Sequence, residues 1–84
     1  MRRIAILAFE GAQTLDVTGP YEVFSIANRL SGGTEYEVEI VAPEKRALRT
    51  GSGLAILPDR ATSGVRGSID TLLIAGGDGV LRAI

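Results

Sequence analysis

Two short apolar runs limit the folds open to this chain more than any other feature of its sequence. Residues 4–9 read Ile-Ala-Ile-Leu-Ala-Phe, and residues 70–75 end in Leu-Leu-Ile-Ala. Neither run alternates apolar with polar side chains. Unbroken apolar runs of this length are typical of strands that are covered on both faces, as in parallel sheets. The sequence therefore predicts two buried strands of a mainly parallel sheet, the first and the last strand along the chain.

The segment between these runs contains one clear helix signal. Proline is favoured at the first position of a helix and glycine just past its end, so Pro20 and the pair Gly32-Gly33 predict a helix from Pro20 to Leu30. Apolar residues recur within it at three- and four-residue steps, which predicts a stripe that faces the sheet. The residues of this expected stripe are Val23, Ile26, Ala27 and Leu30.

The remaining elements are short. Residues 35–42 alternate acidic with apolar side chains before becoming fully apolar, which predicts an edge or near-edge strand with one exposed end. Residues 47–57 indicate an irregular hairpin, and residues 58–68 a loop with one helical turn. A second helix is expected to begin at Val80. The order β-α-β-β-β-β-(α), joined by right-handed connections, predicts an open α/β sheet.

Composition excludes several classes of function. The 84 residues contain no cysteine and no histidine, which removes disulfides, thiolate metal sites, a cysteine nucleophile and the usual general base from this stretch. Nine basic and ten acidic side chains give a net charge of −1, so no nucleic-acid footprint is expected. No run approaches the ~20 apolar residues of a membrane span. We expect no metal, no cofactor, no membrane partner and a cytoplasmic location.

Candidate site residues follow the two apolar runs. Ligands of open α/β sheets bind outside the carboxyl ends of the strands, which here are followed by Asp16 and by the glycine-rich residues 76–79. A carboxylate opposite free backbone N–H groups makes an acid or anion site. Structural alternatives stay open: Asp16 as a cap or dipole partner of the helix, and Gly76-Gly77 as a tight turn.

Two motifs carry a family resemblance. Residues 13–24, Gln-Thr-Leu-Asp-Val-Thr-Gly-Pro-Tyr-Glu-Val-Phe, resemble the Asp-x-x-Gly-Pro-x-x-x-Phe signature of the ThiJ/PfpI-like branch of the class I glutamine amidotransferase superfamily. Residues 70–77 are similar to the second landmark of that family, an apolar strand that ends in Gly-Gly. The resemblance implies a flavodoxin-like three-layer α/β sandwich with a mainly parallel sheet. Residues 1–84 are then the N-terminal portion of a single domain whose remainder is absent.

The resemblance also implies roles for single residues. Asp16 matches the acidic residue that hydrogen-bonds the nucleophilic cysteine, and the backbone N–H groups of Gly76 and Gly77 match the oxyanion site beside that cysteine. The cysteine should follow one further helix and strand and is missing from this chain, so we expect no catalysis from Asp16 alone. Ser52 is not a substitute, because Thr50 breaks the Gly-x-Ser-x-Gly pattern of a nucleophile elbow.

The glycine loop and the helix entry together look most like the N-terminal domain of GlxA-type members of the AraC regulators. That kinship implies a ligand-sensing domain with a small effector in the crevice, a homodimer, and DNA bound only through a helix-turn-helix domain that this chain lacks. The alternative is a stand-alone cysteine-dependent hydrolase or hydratase similar to isonitrile hydratase. A structural module without a ligand stays open too. Residues 76–79 also resemble the phosphate loop of lipid and NAD kinases, except that Val80 replaces its threonine.

Overall fold

The computed structural model describes residues 1–33 and 35–77. In these ranges one helix packs on a four-stranded parallel sheet, and a two-stranded hairpin lies beside it. A single 3₁₀ turn, Thr62–Gly64, follows the fifth strand. The helix expected from Val80 lies outside the described residues. The elements are β1 (Arg2–Leu7), α1 (Thr14–Leu30), β2 (Tyr36–Ala42), β3 (Leu48–Arg49), β4 (Ala55–Ile56), β5 (Arg60–Ala61) and β6 (Thr71–Ile74).

The sheet has the strand order β5-β2-β1-β6, and every neighbouring pair is parallel. In the register of β1, Ile6 lies opposite Ile40 of β2 and Leu73 of β6. Only the last two residues of β2, Val41 and Ala42, pair with β5. The predicted mainly parallel α/β fold is therefore confirmed, and β2 is the near-edge strand that its charge pattern predicts.

Helix α1 begins at Thr14, six residues earlier than predicted, so Pro20 lies inside it. The side chain of Val17 is fully buried in the core, which holds the first turns of the helix against the sheet. A residue before proline normally resists the helical conformation because its Cβ clashes with the proline ring. Gly19 has no Cβ, and this permits a helix through the Gly19-Pro20 pair. Asp16 consequently lies in the first turn of α1.

The prediction that the apolar stripe of α1 faces the sheet is also wrong. Val23, Ile26 and Leu30 are 63%, 41% and 85% exposed. The helix instead contacts β2 through two side chains on another face. The ring of Phe24 packs edge-to-face on Tyr36, with ring centroids 4.9 Å apart. Asn28 forms two hydrogen bonds of 2.8 Å with the backbone N–H and carbonyl of Tyr36. These contacts set the rotation of the helix about its axis.

The core lies between α1, the sheet and the hairpin. Its buried members come from the ends of β1, β2 and β6, from the loop after β1, from α1 and from β3. They are Ile6, Ala8, Phe9, Ala12, Val17, Ala42, Leu48 and Ala75. Most of this core is therefore gathered near the carboxyl ends of the strands, directly beneath the candidate site.

The sheet face opposite α1 carries an ion cluster around the buried carboxylate of Glu39. The Glu39 carboxylate accepts hydrogen bonds from Arg3 Nη2 at 2.9 Å and from Arg60 Nε at 2.7 Å. Arg3 also donates to the carbonyls of Arg66 and Ser68. Burial by itself raises the pKa of Glu39, but the hydrogen bonds and positive charges of the two arginines outweigh it and hold the pKa below its ordinary value. The cluster joins β1, β2 and β5.

The same face is apolar next to β6 and only partly covered. Leu72 and Ile74 are 55% and 59% exposed, whereas the sequence predicts a buried strand. Residues 62–69 cover part of the face and leave an apolar cavity of about 170 Å³. The cavity is lined by Ala5, Leu7, Val41, Thr62, Val65, Ile69 and Leu72. Within the described ranges, no helix is long and apolar enough to cross a membrane.

Candidate functional site

The carboxyl ends of β1 and β6 bring the two candidate segments together. Leu7 pairs with Ile74 at the end of the parallel ladder, so both chains leave the sheet at the same edge. Beyond the ladder, Ala12 forms an isolated antiparallel bridge with Gly77. The backbone N–H of Gln13 donates to the Gly76 carbonyl at 2.7 Å. The start of α1 is thereby fixed to the residues that follow β6.

Asp16 contacts the glycine loop directly. Its Oδ2 atom accepts the backbone N–H of Gly76 at 2.8 Å. The residue is exposed, and Gln13, not Asp16, holds the N-cap position of α1. A carboxylate in the first turn also stabilises the positive end of the helix dipole. A ligand that accepted a hydrogen bond from the Gly76 N–H would compete with Asp16 for it. The catalytic role of Asp16 and the oxyanion role of Gly76 and Gly77 stay predictions.

Gly77 lies where the two backbones approach most closely. A Cβ atom at this position would lie 2.6 Å from the Gly11 carbonyl oxygen and 2.7 Å from the Gln13 nitrogen. Its φ of +126° is a conformation that residues with side chains rarely adopt. Glycine is therefore required here by both space and backbone angle.

Three hydroxyl groups form a cluster beside this contact, because the β3–β4 hairpin folds over the start of α1. Thr14 Oγ1 lies 2.7 Å from Thr50 Oγ1 and 2.6 Å from Ser52 Oγ. Thr50 is buried and Ser52 is exposed. The hairpin is held in place by backbone hydrogen bonds of 2.9 Å, from Gly51 N–H to the Ala12 carbonyl and from Gly11 N–H to the Arg49 carbonyl.

Proton counting shows which atoms of the cluster remain available. The single hydroxyl proton of Thr14 is donated to Thr50, so Ser52 must donate its own proton to Thr14. Ser52 Oγ also lies 3.3 Å from Thr50 Oγ1 and accepts its proton, so one lone pair of Ser52 remains to accept from a ligand. Sequence reasoning missed this cluster: it excluded Ser52 as a nucleophile and gave it no other role. Nothing in the spacing links Thr14 to a serine 38 residues later.

The hydroxyl cluster borders an open groove of about 590 Å³. The groove is lined by Gly11, Gln13, Thr14, Leu15, Gly51 and Ser52. Backbone, amide and hydroxyl groups make up about half of this lining, and they suit hydrogen bonding to a small ligand that carries polar groups. In residues 1–33 and 35–77, no three acidic side chains come together as a metal site.

Comparison with known proteins gives a match over almost the whole chain. The profile of the DJ-1/PfpI family matches residues 2–83. An "uncharacterized protein in cpoL 5′region" of Streptomyces lividans is 37% identical over 76 residues, which are 90% of this chain and 52% of that protein. The chain thus spans about half the length of this curated relative.

Solved structures share the arrangement of helix and strands. A ThiJ/PfpI family protein from Pseudomonas syringae superposes with a TM-score of 0.80 at 27% identity, over 96% of this chain and 31% of that one. An AraC family transcriptional regulator from Pseudomonas putida superposes with a TM-score of 0.79 at 16% identity, over 98% of this chain and 57% of that one. At 16% identity the second likeness is one of fold alone.

Proposed function

This chain belongs to the DJ-1/PfpI family, and from that membership we propose that it is the N-terminal part of a ligand-sensing domain in an AraC-type transcriptional regulator. The effector is a small polar molecule that binds in the groove at the carboxyl ends of the strands. DNA is bound by a helix-turn-helix domain outside these residues. A regulator of this kind works where the DNA is, so the proposal includes a cytoplasmic location.

The observation that carries the proposal is the open groove with its hydroxyl cluster next to the Asp16–Gly76 contact. Acceptor and donor groups converge there, as they do in sites that recognise small ligands through a few placed polar groups. The likeness in fold to the Pseudomonas putida regulator agrees with a sensing role.

The alternative function is that of a cysteine-dependent hydrolase or hydratase. The Asp16–Gly76 contact favours it, because a carboxylate beside a backbone N–H is also what a cysteine nucleophile supplied by a longer chain would use. In that case Asp16 exchanges a proton with the sulfur or with the substrate. Reading the gene past Ile84 distinguishes the two functions. A helix-turn-helix domain there supports the regulator, and termination soon after the sheet closes supports the enzyme.

The binding proposal is tested by thermal-shift screening of the full-length protein with amino acids, short carboxylic acids and polyols as probes. We expect one of these classes to raise the melting temperature. Ser52→Ala should then weaken the affinity for that probe about tenfold, the loss of roughly one hydrogen bond of 1.4 kcal/mol. Ser63→Ala, an exposed serine in the 3₁₀ turn, is the matched control and should leave the affinity unchanged.

A second measurement tests regulation against catalysis. The full-length protein should bind its own promoter DNA in a mobility-shift assay, and the probe identified above should change that binding. Turnover of an ester, amide or isonitrile that is lost on Asp16→Asn would instead support the enzyme. A protein that neither binds a probe nor shifts DNA contradicts the sensing proposal.

A further inference from the structure

The three hydroxyl groups of the hydroxyl cluster close into a ring. Their oxygen atoms lie 2.7 Å apart between Thr14 and Thr50, 2.6 Å between Thr14 and Ser52, and 3.3 Å between Thr50 and Ser52. A threonine or serine hydroxyl has one proton to donate and two lone pairs that accept. Three hydrogen bonds in a closed ring therefore use all three protons, whichever way round the ring the protons point.

A closed ring of this kind can only accept further hydrogen bonds. Each oxygen keeps one lone pair and has no proton left for a ligand. Thr50 is buried, with 5% of its surface exposed, whereas Ser52 is exposed on the wall of the groove. Ser52 Oγ is therefore the atom of the cluster most open to a ligand, and the ligand group that binds it must carry an O–H or an N–H.

The wall of the groove around the cluster is uncharged. Its described lining consists of two glycines, one glutamine, one threonine, one leucine and one serine, with no charged side chain among them. An ion that leaves water for such a wall loses hydration and meets no counter-charge on it. The Asp16 carboxylate outside this lining already bonds the Gly76 N–H and offsets the positive end of the α1 dipole. The groove therefore favours a neutral donor group over an ammonium ion or a carboxylate.

We propose that the groove binds a neutral molecule through an O–H or N–H group that donates to Ser52 Oγ, as an alcohol, a polyol or a primary amide does. Leu15, which is 73% exposed on the same wall, contacts the carbon chain of such a molecule. The inference rests on the proposed function, because it names the ligand class of the same groove. It excludes molecules of similar size that only accept hydrogen bonds, such as ethers and tertiary amides.

A chemical-shift titration of the full-length protein tests the ligand class, with the backbone N–H signals of Gly51 and Ser52 as reporters of the groove. The probes share a three-carbon chain. Propanediol (1,3) and propionamide carry donors, 1,3-dimethoxypropane and N,N-dimethylpropionamide carry acceptors only, and propionate and propylammonium are charged. The diol, the primary amide or both should bind about tenfold more tightly than the donor-free counterpart and the ions, the effect of roughly one hydrogen bond. Which of the two binds tells an alcohol from an amide ligand.

Substitutions in the ring test the proton count. Thr14→Val removes one hydroxyl, so the proton that Ser52 donated to Thr14 becomes free and Ser52 can donate to a ligand. The preference for the donor probe over its donor-free counterpart should then fall at least about threefold. Thr18→Val is the matched control and should leave the preference unchanged, because Thr18 Oγ1 donates to the Thr14 carbonyl within α1 and lies outside the ring.

Ser52→Ala replaces an exposed side chain and keeps the test independent of whether Thr14→Val folds. It should lower the affinity for the donor probe about tenfold and leave that for the donor-free counterpart unchanged. Equal binding of both probes by the parent protein, tighter binding of either ion, or a preference that persists in Ser52→Ala or in folded Thr14→Val overturns the inference, while binding in the groove stands.

A different result contradicts the proposed function. If none of these probes moves the Gly51 and Ser52 signals, the inference fails. The proposed function fails as well only when the thermal-shift screen and the mobility-shift assay are also negative.

Discussion

At the scale of single residues, the contact between the start of α1 and the end of β6 depends on Gly77. A Cβ atom on Gly77 would meet backbone atoms of the segment before α1 at 2.6 and 2.7 Å. Backbone atoms cannot move aside as the tip of a flexible side chain can. The Ala12–Gly77 bridge and the Gln13–Gly76 hydrogen bond therefore tolerate only glycine at this position.

We expect Gly77→Ala to lower the free energy of unfolding by about 3 kcal/mol, because the new methyl group meets backbone and the φ angle is unfavourable for alanine. Urea denaturation monitored by circular dichroism measures the change. Gly64→Ala is the control: Gly64 has open space around it and a negative φ, and the substitution should change stability by less than about 0.5 kcal/mol.

Two substitutions of Asp16 separate the contribution of its hydrogen-bond acceptor to stability from the contribution of its charge. Asp16→Asn keeps an oxygen that accepts the Gly76 N–H, so stability should fall by less than about 0.5 kcal/mol. Asp16→Ala removes the acceptor and should cost about 1 kcal/mol. Thermal denaturation of both variants gives the comparison. An alanine variant as stable as the parent protein would mean that the contact contributes nothing to the fold.

The sequence predicted part of this site. The apolar runs predicted parallel strands, whose carboxyl ends meet at one edge of a sheet. This rule alone was sufficient to predict that Asp16 and Gly76 lie close together. The resemblance of residues 13–24 to a ThiJ/PfpI signature is confirmed by the family match. The hydroxyl cluster was not predictable, because it depends on how the short β3–β4 hairpin folds over α1 and no periodic pattern encodes that contact.

At the scale of elements, the helix shows where local rules fail. Pro20 satisfies the rule for a first helical residue, yet α1 extends six residues further back because burial of Val17 outweighs the proline signal. The three- and four-residue spacing of Val23, Ile26 and Leu30 is a true helical stripe, but periodicity does not say which of two apolar faces meets the sheet. The packing of Phe24 on Tyr36 and the two hydrogen bonds between Asn28 and the Tyr36 backbone fix which face it is.

We predict that Asn28→Ala lowers the free energy of unfolding by about 2 kcal/mol. The substitution leaves both the N–H and the carbonyl of Tyr36 without the partner that each has now. Asn28→Asp keeps an acceptor for the Tyr36 N–H only, and its effect should lie between that of alanine and the parent. Chemical denaturation at pH 7 ranks the three proteins, and equal stability of all three would contradict this role.

The ion cluster on the other face gives a pH dependence. The pKa of Glu39 is lowered in the folded state, so its contribution to stability is present above the ordinary carboxyl pKa of about 4.5 and is lost as the pH falls through the lower folded value. Glu39→Gln should lower the free energy of unfolding by about 1 to 2 kcal/mol at pH 7, because Arg3 and the half-exposed Arg60 lose their shared counter-charge.

Denaturation at pH 7 and pH 3 measures this contribution. The difference in stability between Glu39→Gln and the parent should be largest at pH 7 and smaller at pH 3, where the Glu39 carboxyl of the unfolded chain is protonated and folding must expel that proton to form the ion pairs. Glu44→Gln removes an exposed ion pair with Arg46 and serves as the control, with an effect below about 0.5 kcal/mol at both pH values.

At the scale of the whole molecule, the uncovered side of β6 should dominate the behaviour of this 84-residue chain in isolation. Leu72 and Ile74 are more than half exposed next to an apolar cavity. We expect the isolated chain to bind a hydrophobic dye and to self-associate. The double variant Leu72→Thr/Ile74→Thr should reduce dye fluorescence several-fold without loss of helix signal. Strong dye binding by the double variant would place the apolar surface elsewhere.

The central position of β1 has a consequence for the synthesis of the protein. Thr71, the partner of Ile4 in β1, is synthesised about 70 residues after Ile4. At about 5–20 residues per second, the newborn chain spends roughly 3 to 13 s with the β6 side of β1 unpaired. An apolar strand with an open edge attracts other chains. Nascent-chain chaperones should therefore be most needed in this interval, before Thr71–Ile74 emerges and closes the edge.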